Sequence, residues 1–109
     1  MKDYAAFTSE YRRFMILRLL ADFPGWRGNA DVLQMALVDL RYDVSYKAVL
    51  EDLRHLAGLG LITLDAMPGP MGELLVATLS RAGGDVAAGR DQAKGVRRPL
   101  SGALPGAVI

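Results

Sequence analysis

Residues 44–62, VSYKAVLEDLRHLAGLGLI, decide how the rest of the chain is read. Ser45 is suited to cap a helix, because its hydroxyl can accept from a backbone N–H of the first turn. Behind it Val49, Leu50, Leu53, Leu56 and Ala57 recur at helical spacing and form one apolar stripe. Gly58 and Gly60 offer the permissive backbone on which a helix stops. Leu61-Ile62-Thr63-Leu64 then has strand character.

Working outward, Asn29 caps a helix expected over residues 30–40, with Val32, Leu33, Ala36, Leu37 and Leu40 as its stripe. Arg41-Tyr42-Asp43 turns the chain into the capped helix described above. Upstream, residues 4–23 predict a long first helix with Asp3 or Ser9 as its cap, a break near Thr8-Ser9, and Pro24-Gly25 as its end. Downstream, residues 61–65 and 73–78 read as two strands around a loop, residues 66–72, rich in turn formers. Ser80 caps a last helix over residues 81–90, weakened by Gly83 and Gly84. Trp26-Arg27-Gly28 reads as a short connection, with Trp26 packed at the edge of the core. Two short helices joined by a tight turn and followed by a hairpin are the pattern of a winged helix-turn-helix. The expectation is an α+β winged-helix domain over residues 1–91, followed by a flexible tail, basic then apolar, over residues 92–109.

The 109 residues fit one domain, and 51% of them are apolar, enough for a compact core. There is no cysteine, so disulfides and thiolate metal or redox chemistry have no ligand. No apolar run approaches a membrane span, and MKDYAAFTSEYRR has no signal-peptide apolar centre. We expect a soluble, cytoplasmic protein without membrane contact. The net charge of +1 is unevenly spread. Residues 1–79 hold eight Lys/Arg against ten Asp/Glu, and residues 80–109 hold five against two. The body is a weak electrostatic candidate for a polyanion, and the C-terminal segment a better one.

Catalysis has little to work with. His55 is the only histidine, and no acid stands in an arrangement that marks a triad. Glu51 and Asp52 point about 100° apart on a helix and read as a solvated face. No glycine loop of the phosphate-binding kind is present. We expect no enzyme, no cofactor and no metal site. For nucleic acid, the exposed side of residues 46–58 offers Lys47, Ala48, Glu51, Arg54 and His55 behind the Ser45 cap. Lysine suits guanine, glutamate can accept from a cytosine amino group, and alanine can touch a thymine methyl. Arg90, Lys94, Arg97 and Arg98 are candidates for phosphate contacts. The loop after the first strand carries no base, so Met67 and Met71 suit a protein partner at least as well. The first helix is apolar on several sides, with Phe14, Met15, Ile16 and Leu19 prominent. It is either the centre of its own domain or is covered on one side by a second copy.

Five stretches carry a resemblance: DYAAF (3–7), RRFMILRLLADFPGWRGN (12–29), the quoted 44–62 segment, LLVATLSRAGGDVAAGR (74–90) and GVRRP (95–99). Together they resemble a family of small winged-helix proteins of Mu-like phages and prophages, labelled as related to ArsR-type transcriptional regulators. The resemblance implies a winged helix, a phage or prophage origin, DNA binding and a homodimer. Metal sensing is not carried over, because the cysteines it needs are missing. The expected partners are double-stranded DNA and a second copy, paired through Phe14, Met15, Ile16 and Leu19. The alternative is a non-enzymatic adaptor between phage proteins, in morphogenesis or DNA packaging, that keeps the fold.

Overall fold

The computed structural model describes residues 4–98. Asp3, weighed as a helix cap, and the apolar end of the tail, residues 99–109, lie outside the described residues. Along the chain run α1 (Tyr4–Asp22), a 3-10 turn (Pro24–Trp26), β1 (Arg27–Asn29), α2 (Ala30–Asp39), α3 (Tyr46–Gly58), β2 (Ile62–Gly69), β3 (Gly72–Leu79) and α4 (Arg81–Ala87). The strands form one antiparallel sheet in the order β1-β3-β2. This α+β arrangement is compatible with a winged helix-turn-helix.

Local chemistry sets the helix starts. Asn29 accepts from the Val32 N–H at 2.8 Å to begin α2. Ser45 accepts from the Ala48 N–H at 3.1 Å to begin α3. The α2 exit is closed by bonds from Arg41 N to Val38 O and from Tyr42 N to Leu37 O. The α3 exit repeats that pair from Gly60 N to Ala57 O and from Leu61 N to Leu56 O, and buries Leu56 and Leu61 together. At the first exit the left-handed position is held by Arg41 at φ 72°, a conformation that costs a residue with a Cβ about 1–2 kcal/mol.

α1 is a single unbroken helix, not one interrupted at Thr8-Ser9. The Thr8 hydroxyl turns back along the helix to donate to Tyr4 O at 2.9 Å, a bond a threonine can make inside a helix without ending it. α1 runs through the middle of the fold, packed on α2, α3, α4 and β3. Phe14, Met15, Ile16 and Leu17 are all buried in this chain's own core. The dimer interface expected of Phe14, Met15 and Ile16 is therefore corrected: those side chains have no surface to offer. Leu19, the fourth, is half-buried against the core.

The hairpin is tighter than its composition suggests. β2 and β3 stay paired from Ile62↔Leu79 out to Gly69↔Gly72, so only Pro70-Met71 turns the chain. Pro68 is accommodated because β2 is an edge strand, where a missing N–H breaks no ladder. The stretch read as a connection supplies β1, whose Arg27, Gly28 and Asn29 pair with Thr78, Ala77 and Val76.

α4 docks through its glycines rather than being only weakened by them. Ser80 accepts from Gly83 N at 3.0 Å and donates to Gly60 O at 2.7 Å. A Cβ on Gly83 would lie 2.0 Å from the Leu61 carbonyl oxygen, and one on Gly84 would lie 2.7 Å from the Trp26 ring. Gly83→Ala is expected to destabilise the protein by about 1–3 kcal/mol through overpacking against backbone. Arg41→Gly is expected to stabilise it by about 0.5 kcal/mol, the relief of left-handed strain less the added freedom of the unfolded chain. Urea unfolding followed by the fluorescence of Trp26, the only tryptophan, checks both; an unchanged Gly83→Ala midpoint would mean α4 docks differently.

Candidate nucleic-acid interface

The exposed side of α3 is set by what the buried side must do. Val49, Leu53 and Leu56 are inside, and so is Asp52, at 1% exposure. This corrects the solvated-face reading of Asp52. Its carboxylate takes the guanidinium of Arg12 at both oxygens, Nη2 to Oδ1 at 3.2 Å and Nε to Oδ2. Arg13 Nε adds a bond to Oδ1 at 3.1 Å. A carboxylate removed from water is tolerable only with its charge met and its lone pairs filled, and two arginines do both. Tyr42 lies close enough to feel Arg12 and Tyr11. Burial lifts its phenol above the ordinary 10.0, outweighing the Arg12 attraction, so it stays neutral across physiological pH.

With that face inward, Ser45, Lys47, Glu51 and Arg54 stand exposed and Ala48 half-buried. Ser45's side-chain oxygen already serves the Ala48 N–H. Lys47 and Arg54 make no ion pair among the described residues. Tyr46, which sequence reasoning passed over, begins α3 and lines a groove with Leu50 and Arg54. Across that groove stand Ala66, Glu73 and Leu75 of the hairpin. The hairpin tip has no base, and Met71 there is 97% exposed.

His55 does not join the exposed set. Its Nε2 lies 3.0 Å from the Lys94 carbonyl oxygen, where it acts as donor. This is one of several bonds that hold the C-terminal segment. Arg13 Nη1 donates to Gly95 O at 3.0 Å, and Arg97 N donates to Glu10 O at 3.1 Å. The Arg97 guanidinium pairs with the Glu10 carboxylate at 3.1 Å and stacks 4.8 Å from the Phe7 ring centre. Gly95, at φ 74°, passes so close to α3 that a Cβ would sit 2.7 Å from His55 Nε2. The flexible tail expected from residue 92 is corrected for residues 92–98, which lie along α1 and α3.

Of the four C-terminal bases named for phosphate contact, two are committed within the fold: Arg90 to Asp85 at 2.9 Å, and Arg97 to Glu10. Lys94 and Arg98 are exposed and make no ion pair among the described residues. Lys94 is fixed next to α3 by the His55 bond to its own carbonyl. The structure thus brings Lys47 and Arg54 onto one helix side with Lys94 near its C-terminal half. Among the described residues no group of His, Asp and Glu converges as metal ligands would, and no helix is long and apolar enough to cross a membrane.

No protein-family model matches the chain. Over 91 residues it is 36% identical to a protein of Escherichia phage Mu named Uncharacterized protein gp26, a match covering 84% of this chain and 90% of the Mu protein. The chain belongs to the family of that Mu phage protein. The ArsR-type label has no support in this match, since the relative's name assigns no activity.

The buried cluster generates a test. Asp52→Asn keeps the side-chain shape but leaves Arg12 and Arg13 facing each other without a counter-charge, and should cost about 3 kcal/mol in urea unfolding. Hydrogen exchange at the Arg97 amide should speed up in the same variant, because Arg13 bridges Asp52 to Gly95. A loss below about 1 kcal/mol would place the pair in the weak class of surface ion pairs.

Proposed function

For this member of the Mu gp26 family we propose binding of duplex DNA, with the fold read as a winged helix-turn-helix and α3 as the helix that enters the major groove. The observation that supports this reading is the pair of exposed cations, Lys47 and Arg54, on the α3 side that the described residues leave uncovered. Lys47, in the first turn, is where such a helix approaches base edges. Arg54, two turns further along, suits a phosphate or a guanine edge. Glu51 between them repels phosphates and is tolerable only if it faces a donor such as a cytosine amino group. Lys94 would add a backbone contact at a fixed place, which costs less ordering entropy than the same lysine on a free tail. Chemistry plays no part in this reading: the protein would act by occupying or organising DNA, as a regulator does.

A second reading, an adaptor between phage proteins, is favoured by the hairpin tip. Pro70-Met71 carries no base where a DNA-binding wing would use one, and Met71 is almost wholly solvent-exposed.

Binding of the full chain to random-sequence duplex across a salt series separates the two. Three phosphate contacts from Lys47, Arg54 and Lys94 should give a log–log slope of about −2.7, falling to about −0.9 in Lys47→Ala/Arg54→Ala. No binding at low salt would end the DNA reading in favour of the adaptor. Binding with an unaltered slope in the double variant would remove α3 from the interface.

A further inference from the structure

α2 buries Ala30, Leu33 and Leu37 and turns a second apolar strip outward. Met35 is 70% exposed, with Val32 at 43% and Val38 at 50%. These three stand at i−3, i and i+3, so they form one surface strip rather than scattered contacts. The same methionine is flanked at i−4 and i+4 by Asp31 and Asp39, both exposed. Neither they nor nearby Asp43 makes an ion pair among the described residues.

Folding does not account for this pattern. Asp31 sits in the first turn, where an acid suits the helix dipole, but Asp39 sits in the last turn, where it adds to the negative end. No base lies in that last turn to offset it, and Arg41 just beyond makes no ion pair with it. Three exposed apolar side chains on one short helix also oppose solubility. Both features suit a surface that a partner covers.

The charges decide which partner. A second copy laid on α2 about Met35 would bring Asp31 and Asp39 against the same residues of its twin, so self-association is opposed. A cationic face with an apolar middle meets both the acids and the methionine. We propose that the outward side of α2 is a docking surface for a basic amphipathic helix of a protein partner. Its apolar side chains pack on Val32, Met35 and Val38, and its lysines or arginines reach Asp31 and Asp39. The surface is distinct from the α3 side and does not depend on that side binding DNA.

The probe is a synthetic amphipathic helical peptide with a leucine face flanked by lysines, titrated into the full chain beside a twin carrying glutamates in their place. The lysine peptide should bind about tenfold more tightly or better, with NMR amide shifts centred on Val32, Met35 and Val38. Met35→Glu should weaken it about tenfold. Asp31→Lys/Asp39→Lys should reverse the preference toward the glutamate peptide. These side chains point to solvent, so unchanged urea midpoints are expected and separate lost binding from lost fold. Equal binding of both peptides, shifts centred on α3 or the hairpin, or a dimer in sedimentation that Met35→Glu dissolves would each overturn the proposal.

Discussion

The fold turns on one buried carboxylate. Asp52 lies in the apolar stripe of α3, and its carboxylate is met there by Arg12 and Arg13, which α1 supplies as neighbours in sequence and in space. Two consecutive residues of a helix point about 100° apart, so reaching one carboxylate requires α3 to approach α1 between them. That requirement fixes the rotation of α3 about its axis. It therefore determines that Lys47, Glu51 and Arg54, rather than any other residues of the helix, face outward. Apolar packing alone would tolerate small rotations; a carboxylate with both oxygens occupied would not. The same cluster reaches the C-terminal segment, since Arg13 divides its donors between Asp52 and Gly95.

What sequence could disclose follows from how local each cause is. The caps at Asn29, Ser45 and Ser80 were legible because each bond spans three residues. The core stripe of α3 is legible from periodicity; that of α2 is legible at Leu33 and Leu37, whereas Val32 and Leu40, expected in the same stripe, stand exposed. The burial of Asp52 is not legible in the same way, although a signal is present: it stands three residues after Val49 and four before Leu56, inside the stripe, and an Arg12-Arg13 pair directly precedes the buried run Phe14-Met15-Ile16-Leu17. Beside Glu51 it passes for part of a charged face, but its place in the stripe is the stronger signal. β1 had no local signature, because three residues with a central glycine become a strand only through pairing with β3. Composition makes the hairpin loop too long because Pro68 counts as a turn former, whereas an edge strand can hold it.

Composition misled most at the C-terminal segment. Gly, Pro, Ala and Ser dominate from residue 92 onward and give the chain no period of its own, yet residues 92–98 take their order from elsewhere: Glu10, Phe7 and Tyr11 of α1, and His55 of α3. Long-range anchors of this kind leave no periodic trace. They also change the electrostatic account. The excess of positive charge after residue 80 looked available to a polyanion, but Arg90 and Arg97 spend theirs on Asp85 and Glu10. Counting charges overstated the attraction; counting unpaired, exposed charges corrects it.

After that correction the molecule has two electrostatic characters. α3 carries Lys47 and Arg54 with Lys94 alongside, against one acid, while the outer side of α2 carries Asp31 and Asp39 around Met35. The proposals attached to these surfaces support each other physically. A polyanion drawn to α3 is repelled from α2, which leaves the α2 strip open, and a cationic helix on α2 would compete poorly for the α3 side. A protein with a single dominant charge could not keep two such ligands apart at the Debye length of about 8 Å in physiological salt. A net charge of +1 thus conceals a division of surface between a cationic α3 side and an acidic, apolar α2 side, and each proposal draws on one of them.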